Sequence, residues 1–83
     1  MGTTNGMRAI HPGEILREEF LSPLGLSSRT LATNLHISRS RISDITRERR
    51  AVTADTALRL ARYFGTSAEF WLGLQSDFDI KIR

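Results

Sequence analysis

The sequence predicts an all-α fold built from five helices. Apolar residues recur at helical spacing in five successive segments, whereas no segment alternates apolar and polar residues with the period of a strand. Each segment begins beside a residue that favours a helix N-terminus: Pro12, Ser27, Ser38, Thr53 and Ser67. With 83 residues, no internal repeat and no low-complexity segment, the chain is expected to form one small domain.

The first helix is predicted to start at Pro12 and to end near Pro23. Proline suits the first turn because the backbone N–H that it lacks would have no helical partner there. Leu16 and Phe20, four residues apart, form an apolar pair on one face of this helix. Pro23 and Gly25 then end the helix and form a loop.

Residues 28–47 carry the spacing of a helix-turn-helix. The second helix is predicted to follow the Ser27 cap and to end at about Leu35, and the third is predicted to follow the Ser38 cap. His36 occupies the turn, where a left-handed backbone is commonly required and where histidine is tolerated better than most residues.

The second and third helices each have one apolar face. Leu31 and Leu35 share a face of the second helix. Ile42 and Ile45 share a face of the third, and the two faces are expected to pack together. The side chains left pointing outward on the third helix are Arg39, Ser40, Arg41, Ser43, Asp44 and Arg47. Such a cationic helix fits the major groove, so the motif indicates DNA binding.

The basic charge is concentrated on the same part of the chain. Residues 28–62 hold eight arginines against three acidic residues, whereas residues 1–27 and residues 63–83 each carry one net negative charge. Eleven of the twelve basic residues are arginine, whose planar guanidinium fits phosphates and guanine edges better than an ammonium group does. This coincidence of charge and motif favours a nucleic-acid partner over a merely solvated charged face.

Two groups of side chains are candidates for contact with DNA. Contacts with base edges are expected from the third helix, at Arg39, Ser40, Arg41, Ser43 and Asp44. Contacts with phosphates are expected beside it, at Arg29, Thr30, Thr33, Arg47, Arg49 and Arg50. Asp44 has two interpretations, because it could accept a hydrogen bond from a cytosine amine or hold Arg41 or Arg47 in an ion pair.

The last two helices complete the predicted domain. The fourth helix is expected to run from the Thr53 cap to a stop at Gly65, with Arg59 and Arg62 solvated on its outer face. The fifth is expected over residues 68–76.

The fifth helix carries apolar residues on more than one face. One face can pack against the domain, and the other is expected to meet a second subunit. The residues assigned to this dimer interface are Phe70, Trp71, Leu74 and Phe78. A two-fold dimer would set two third helices about 34 Å apart, which matches an inverted-repeat operator in double-stranded DNA.

Other classes of function lack the residues that they need. The chain has no cysteine, which excludes disulfides, thiolate metal sites and cysteine nucleophiles. His11 and His36 lack companions at metal-ligand spacing, so neither a metal nor another cofactor is expected. We find no nucleophile–base pair or phosphate loop, so the chain is not expected to be an enzyme. It shows neither a membrane-spanning apolar run nor an export signal, which fits a cytoplasmic location.

Three blocks of the sequence carry a family resemblance: HPGEILREEFLSPLGLS, ISRSRISDI and TADTALRLARYFGTSAEFWLGLQ. Together they resemble the HigA antitoxins of bacterial toxin–antitoxin pairs, which are also called virulence-associated protein I. These proteins belong to the lambda-repressor/Cro-like (XRE) helix-turn-helix class. The resemblance extends over residues 8–80, nearly the whole chain.

The resemblance implies a lambda-repressor-like domain that binds DNA as a homodimer and represses its own operon. It also implies a protein partner, a HigB-type toxin similar to the RelE group of mRNA-cleaving toxins, which the antitoxin neutralises. The implied location is the bacterial cytoplasm, at the nucleoid. A stand-alone helix-turn-helix repressor without a toxin partner is the alternative.

Three positions depart from the family pattern. Relatives often carry a glutamine that braces a DNA phosphate where this chain has Ser28, so a phosphate contact is assigned to Ser28 with Arg29 as its substitute. His36 replaces the usual turn glycine, and Arg47-Glu48 stands where Asn-Gly often follows the third helix.

These observations divide the chain into three parts. A flexible lead is expected over residues 1–10, and a lambda-repressor-like domain over residues 11–76, with its helix-turn-helix at 28–47. A C-terminal tail is expected over residues 77–83. The sequence leaves open whether this tail adds a short strand or contacts the toxin.

Overall fold

A computed structural model describes residues 8–82, and these residues form five helices. Helix α1 joins Pro12–Ile15, Leu16–Leu21 and Ser22–Leu24, and it is followed by α2 (Ser28–Leu35), α3 (Arg39–Thr46), α4 (Ala54–Phe64) and α5 (Ala68–Lys81). The predicted all-α fold of five helices is confirmed, and no strand occurs between residues 8 and 82. None of the described helices is both long and apolar enough to span a membrane.

Helix α1 changes its hydrogen-bonding pattern along its length. Its central turns, Leu16–Leu21, are π-helical and its two ends are α-helical. His11 caps the first turn, because its Nδ1 atom accepts a hydrogen bond from the Gly13 backbone N–H at 2.8 Å. Gly25 ends the helix with a φ of 61°, a left-handed conformation that glycine adopts without strain.

The start of α1 lies directly against the backbone of α3. Gly13 is buried, and a Cβ atom at this position would lie far inside the van der Waals distance of the Ile45 carbonyl oxygen. One turn further along α1, the Arg17 guanidinium donates a hydrogen bond to the Thr46 carbonyl oxygen at the end of α3. Helix α1 therefore contacts the backbone of α3 at two neighbouring residues, Ile45 and Thr46.

Serine hydroxyls cap three of the helices, as predicted. Ser27, Ser38 and Ser67 each accept a hydrogen bond from the backbone N–H three residues later, at 3.0–3.2 Å. Thr53 stands at the cap position of α4, but its hydroxyl pairs with the Thr56 hydroxyl at 3.4 Å. The predicted capping hydrogen bond of Thr53 is therefore wrong.

Between residues 8 and 82, two residues other than glycine adopt the left-handed conformation. His36 does so in the turn between α2 and α3, with a φ of 60°, which confirms the prediction for this position. Glu48 has a φ of 64°, and its backbone N–H donates to the Ile45 carbonyl at 2.9 Å. Glu48 thus ends α3 at the position where the family pattern has a glycine, although no left-handed conformation was predicted for Glu48.

The core lies between the five helices. Its fully buried large side chains come from every helix and include Leu16, Leu31, Ile42, Ile45, Leu60 and Trp71. The predicted packing of the apolar faces of α2 and α3 is confirmed, since Leu35 is buried with them. Phe20 of α1 is half-buried against the rings of Phe64 and Trp71, with centroids 4.8 and 5.1 Å away.

Helix α5 is longer than the sequence predicts. Its residues remain helical through Lys81, five positions beyond the expected end at Ser76. Residues 77–81 of the predicted tail therefore extend the helix instead of forming a strand. Residues 1–7 of the predicted flexible lead lie outside the described residues.

Substitution of Gly13 by alanine should lower the free energy of unfolding by about 3 kcal/mol, because the added methyl group meets a backbone carbonyl that cannot move alone. Denaturant unfolding at a fixed protein concentration measures this. Gly73→Ala is the matched control, since a Cβ atom there has no packing neighbour within 4 Å in the described part of the chain and should not destabilise the helix. Equal effects at the two glycines would contradict the close approach of α1 to α3.

Acidification should destabilise the protein through His11. Burial disfavours the imidazolium and lowers the pKa of His11, while Glu48 and Asp79 act weakly in the opposite direction. The unfolded chain therefore binds a proton at His11 more readily than the folded protein does. The contribution of neutral His11 to the free energy of unfolding is complete above about pH 6.5, and it is lost as the pH falls towards the lower pKa of the folded state.

Unfolding curves between about pH 7.5 and pH 5.5 should therefore show a smaller slope of stability against pH for His11→Asn than for the wild type. Asparagine keeps a capping acceptor but does not titrate. Glu14→Gln is the control, because Arg8 lowers the pKa of Glu14 and confines its effect to more acidic solutions. An unchanged slope in His11→Asn would rule out His11 as the source.

Candidate nucleic-acid interface

Helix α3 presents its polar side at the surface. Ile42 and Ile45 are fully buried on the opposite side, whereas Arg39 and Ser40 in its first turn are exposed. The N-terminal turn of the second helix of a helix-turn-helix is the part that lies nearest to the base edges. The structure therefore leaves the first turn of α3 open to a ligand. We call α3 the recognition helix.

Two of the predicted base-contact residues are engaged in ion pairs. Arg41 Nη1 lies 3.2 Å from Asp55 Oδ2 of α4, and Arg41 is only half-exposed. Asp44 lies 3.5 Å from the guanidinium of Arg50. One of the two interpretations of Asp44, an ion pair with Arg41 or Arg47, is therefore wrong, because its partner is Arg50. Glu48 turns the chain after the recognition helix, and this brings Arg50 back beside Asp44.

The other base-contact candidates differ in exposure. Arg39 is exposed, and within residues 8–82 no carboxylate lies at ion-pair distance from it. The Ser40 hydroxyl is 3.4 Å from that of Ser38. Ser43 is half-buried, and its carbonyl oxygen accepts from the Thr46 hydroxyl at 3.0 Å. Arg39 is thus the most accessible cationic side chain of the recognition helix.

The phosphate-contact candidates fall into two groups. One occupies α2 and comprises Ser28, Arg29, Thr30 and Thr33. The other follows the recognition helix and comprises Arg47, Arg49 and Arg50. Ser28 is half-buried, and the Thr33 hydroxyl donates to the Arg29 carbonyl at 3.1 Å. The guanidinium groups of Arg29, Arg47 and Arg49 are exposed and form no ion pair in the described part of the chain.

One polar side chain of α4 supports the helix-turn-helix, and one of α5 holds the connector that follows it. Arg59 of α4 donates from Nη1 to the Leu35 carbonyl oxygen at the end of α2, at 2.7 Å, so the expectation that Arg59 is merely solvated is wrong. Gln75 of α5 is buried, and its Oε1 atom accepts from the Val52 backbone N–H at 2.8 Å. Gln75 stands alone as an amide among apolar residues of its helix, a signal that sequence reasoning missed.

Trp71 belongs to the core of the protomer. Its side chain is fully buried, and its indole Nε1 donates to the Thr66 hydroxyl at 2.8 Å. Because no part of the ring reaches the surface, the structure argues against its assignment to a dimer interface. Apolar periodicity alone could not tell which face of α5 turns inward.

The remaining interface candidates are partly accessible on α5. Phe70 is 41% exposed, and Leu74 and Phe78 are half-buried. Beyond them, Ile80 and Ile82 are 68% and 59% exposed at the C-terminal end of the helix. The accessible apolar surface of α5 therefore extends further along the chain than the four predicted residues.

Comparison with known proteins identifies the class of this domain. A sequence model of the helix-turn-helix family matches residues 16–71. Virulence-associated protein I of Dichelobacter nodosus is 62% identical over 94% of this chain and 72% of its own length. The Escherichia coli transcriptional regulator YbaQ is 42% identical over 83% of this chain and 61% of its own length. Antitoxin HigA-1 of Vibrio cholerae is 36% identical over 88% of this chain and 69% of its own length.

Solved structures agree with this assignment. The Pseudomonas aeruginosa antitoxin HigA, determined with the higBA promoter, is 52% identical and superposes with a TM-score of 0.87 over 88% of this chain and 79% of its own. Antitoxin GraA in complex with its operator is 49% identical, with a TM-score of 0.86 over 90% of this chain and 76% of its own. The chain belongs to the helix-turn-helix family of DNA-binding proteins, in the group that contains virulence-associated protein I and the HigA antitoxins. This membership agrees with the expectation that the chain is not an enzyme.

Proposed function

We propose that this chain is the antitoxin of a HigB/HigA-type pair and represses its own operon. The observation that carries the proposal is the exposed, cationic recognition helix in a fold shared with antitoxins solved on their promoter or operator DNA. The recognition helix enters the major groove, where an arginine at its first turn can donate two parallel hydrogen bonds to a guanine edge. The protein acts in the bacterial cytoplasm, at the nucleoid.

Base recognition rests first on Arg39, with Ser40, Ser43 and Asp44 beside it. Arg39 supports this role because it is exposed and unpaired within residues 8–82. Phosphates are held on both sides by the two groups described above, among which Arg29 and Arg49 carry free charge at the surface of the described chain. Such contacts position the protein on any duplex and make binding dependent on salt.

The protein acts as a homodimer on an inverted-repeat operator. Phe70, Leu74 and Phe78 of α5 form the proposed interface, and the exposed Ile82, four positions after Phe78, extends it. These side chains give α5 an accessible apolar surface that a second copy can cover. Two-fold symmetry would then present two recognition helices to half-sites about one turn of DNA apart.

The protein partner is a HigB-type toxin, similar to the RelE group of mRNA-cleaving toxins, which the antitoxin neutralises by binding. Similarity to named HigA antitoxins supports this partner. A stand-alone repressor is the second candidate, because a relative at 42% identity is named only as a transcriptional regulator.

Arg39→Ala should reduce the preference for operator over random DNA by about 1–3 kcal/mol, because Arg39 is proposed to read a base. Arg49→Ala should weaken binding to both duplexes alike and make the slope of log K against log salt shallower by about one per subunit, because Arg49 is proposed to hold a phosphate. Salt titrations by fluorescence anisotropy, with the upstream region of the chain's own gene as operator, measure both.

Arg62→Ala is the matched control, because it removes an exposed arginine from α4 without touching either proposed group. It should leave the preference and the slope close to those of the wild type. If Arg39→Ala keeps the full preference for the operator, the proposed orientation of the recognition helix on DNA is wrong.

Co-expression tests the toxin partner. The wild type and Arg39→Ala should both restore growth to cells that express the product of the adjacent toxin gene, because neutralisation is proposed to act by protein binding. Only the wild type should repress a reporter driven by the operator. Repression without rescue of growth would support the stand-alone repressor instead.

A further inference from the structure

We propose that Asp55 is a positioning residue for DNA binding, which holds Arg41 away from phosphates and so keeps sequence-independent affinity low. The inference rests on the proposed DNA-binding function and refines its site. It removes Arg41 from the predicted base contacts and leaves base reading to the exposed Arg39.

Asp55 is contacted from its own helix, and its side chain is 57% exposed. It lies in the first turn of α4, where a carboxylate is stabilised by the positive end of the helix dipole. Arg59 Nε, four residues later, lies 3.2 Å from both oxygens of Asp55. Arg59 is itself fixed, because its Nη1 atom donates to the Leu35 carbonyl at the end of α2. The carboxylate therefore has a defined position before Arg41 reaches it.

Arg41 is drawn towards this carboxylate from the recognition helix. Its Nη1 atom donates to Asp55 Oδ2 at 3.2 Å, and its side chain is 35% exposed. Arg39, two positions earlier, points to a different side of the helix and stays exposed. The two arginines of the recognition helix thus have different environments, and only one of them is free of a carboxylate among residues 8–82.

Ion pairs between a carboxylate and an arginine recur throughout residues 28–62, and those of Asp55 are the closest. Each of the three acidic residues in 28–62 pairs with an arginine: Asp44 with Arg50, Glu48 with Arg17, and Asp55 with Arg41 and Arg59. Asp55 alone contacts two guanidinium groups, and both contacts are shorter than those of Asp44 and Glu48.

The consequence for DNA binding follows from the nature of the phosphate backbone. A free arginine beside the major groove can neutralise a phosphate on every duplex, whatever its sequence. An arginine that stays with Asp55 releases no counterion and adds nothing to this affinity. Since a genome offers a very large excess of non-specific sites, a lower background affinity leaves more repressor for the operator.

Asp55→Asn tests the proposal, because it removes the charge with little change in shape. On a random-sequence duplex, the slope of log K against log salt should become steeper by about one per subunit. Affinity should then fall about threefold more per subunit, and so about tenfold more for the dimer, than for the wild type between 50 and 200 mM salt. Asp55→Glu, which keeps the charge, should stay close to the wild-type slope.

Two further variants separate Arg41 from a general effect of charge. The double variant Asp55→Asn with Arg41→Ala should return to the wild-type slope. Asp77→Asn removes an exposed aspartate from α5 and changes the net charge equally, but it should leave the slope unchanged. Thermal unfolding by circular dichroism shows whether each variant is folded.

The proposal is overturned if Asp55→Asn binds with the wild-type slope, if its effect persists after Arg41→Ala, or if Asp77→Asn has the same effect. These results leave the proposed function intact. If the wild type itself binds no duplex in a salt-dependent manner, the proposed function fails instead.

Discussion

The contact between the first turn of α1 and the backbone of α3 sets the geometry on which the rest of the molecule depends. His11 and Pro12 start α1 at a fixed point, and Gly13 has no side chain to separate the two helices. Arg17 then donates to the neighbouring Thr46 carbonyl, at the same C-terminal end of α3. Because the C-terminal end of the recognition helix is held from its inner side, where Ile42 and Ile45 are buried, its polar side faces outward in one orientation. A binding surface on a rigid element of this kind needs little reorganisation when a ligand arrives.

Only some of the arginines concentrated on this surface are free of an ion pair in the described chain. Carboxylates within the cationic segment engage some guanidinium groups and leave others free in the described chain, among them Arg29, Arg39 and Arg49. Exposed ion pairs contribute little to folding stability, so their main effect here is on where positive potential remains available. The interface therefore has fewer free arginines than the composition suggests. The positions of these free arginines determine how the protein is oriented on DNA.

Most features that depend on neighbouring residues could be predicted from the sequence, as could the packing of the apolar faces of α2 and α3, whereas polar contacts between distant segments could not. The Ser38 cap and the left-handed His36 involve residues within a few positions, and both were predicted. The contact of Arg59 spans 24 residues and that of Gln75 spans 23, so each depends on how separate helices meet. Glu48 is a local feature that was missed, because a glutamate carries no preference for a left-handed backbone.

The same limit explains the base-contact candidates. Helical periodicity placed them correctly on the outer side of α3, but it could not show that Arg41 would meet a carboxylate from α4. The fold class, the recognition helix and its exposed first turn were therefore accessible from sequence. Which of its arginines is paired could not be predicted, because the pairing depends on how α4 packs beside the recognition helix.

The burial of Trp71 gives the protein a built-in optical probe. It is the chain's one tryptophan, enclosed by aromatic rings and hydrogen-bonded to Thr66. Indole fluorescence from the folded protein therefore comes from a single dry environment, and unfolding moves that emission to longer wavelength by admitting water. Because the ring sits in α5 and not in α3, the signal follows the integrity of the core, and a labelled duplex can be read in a separate channel.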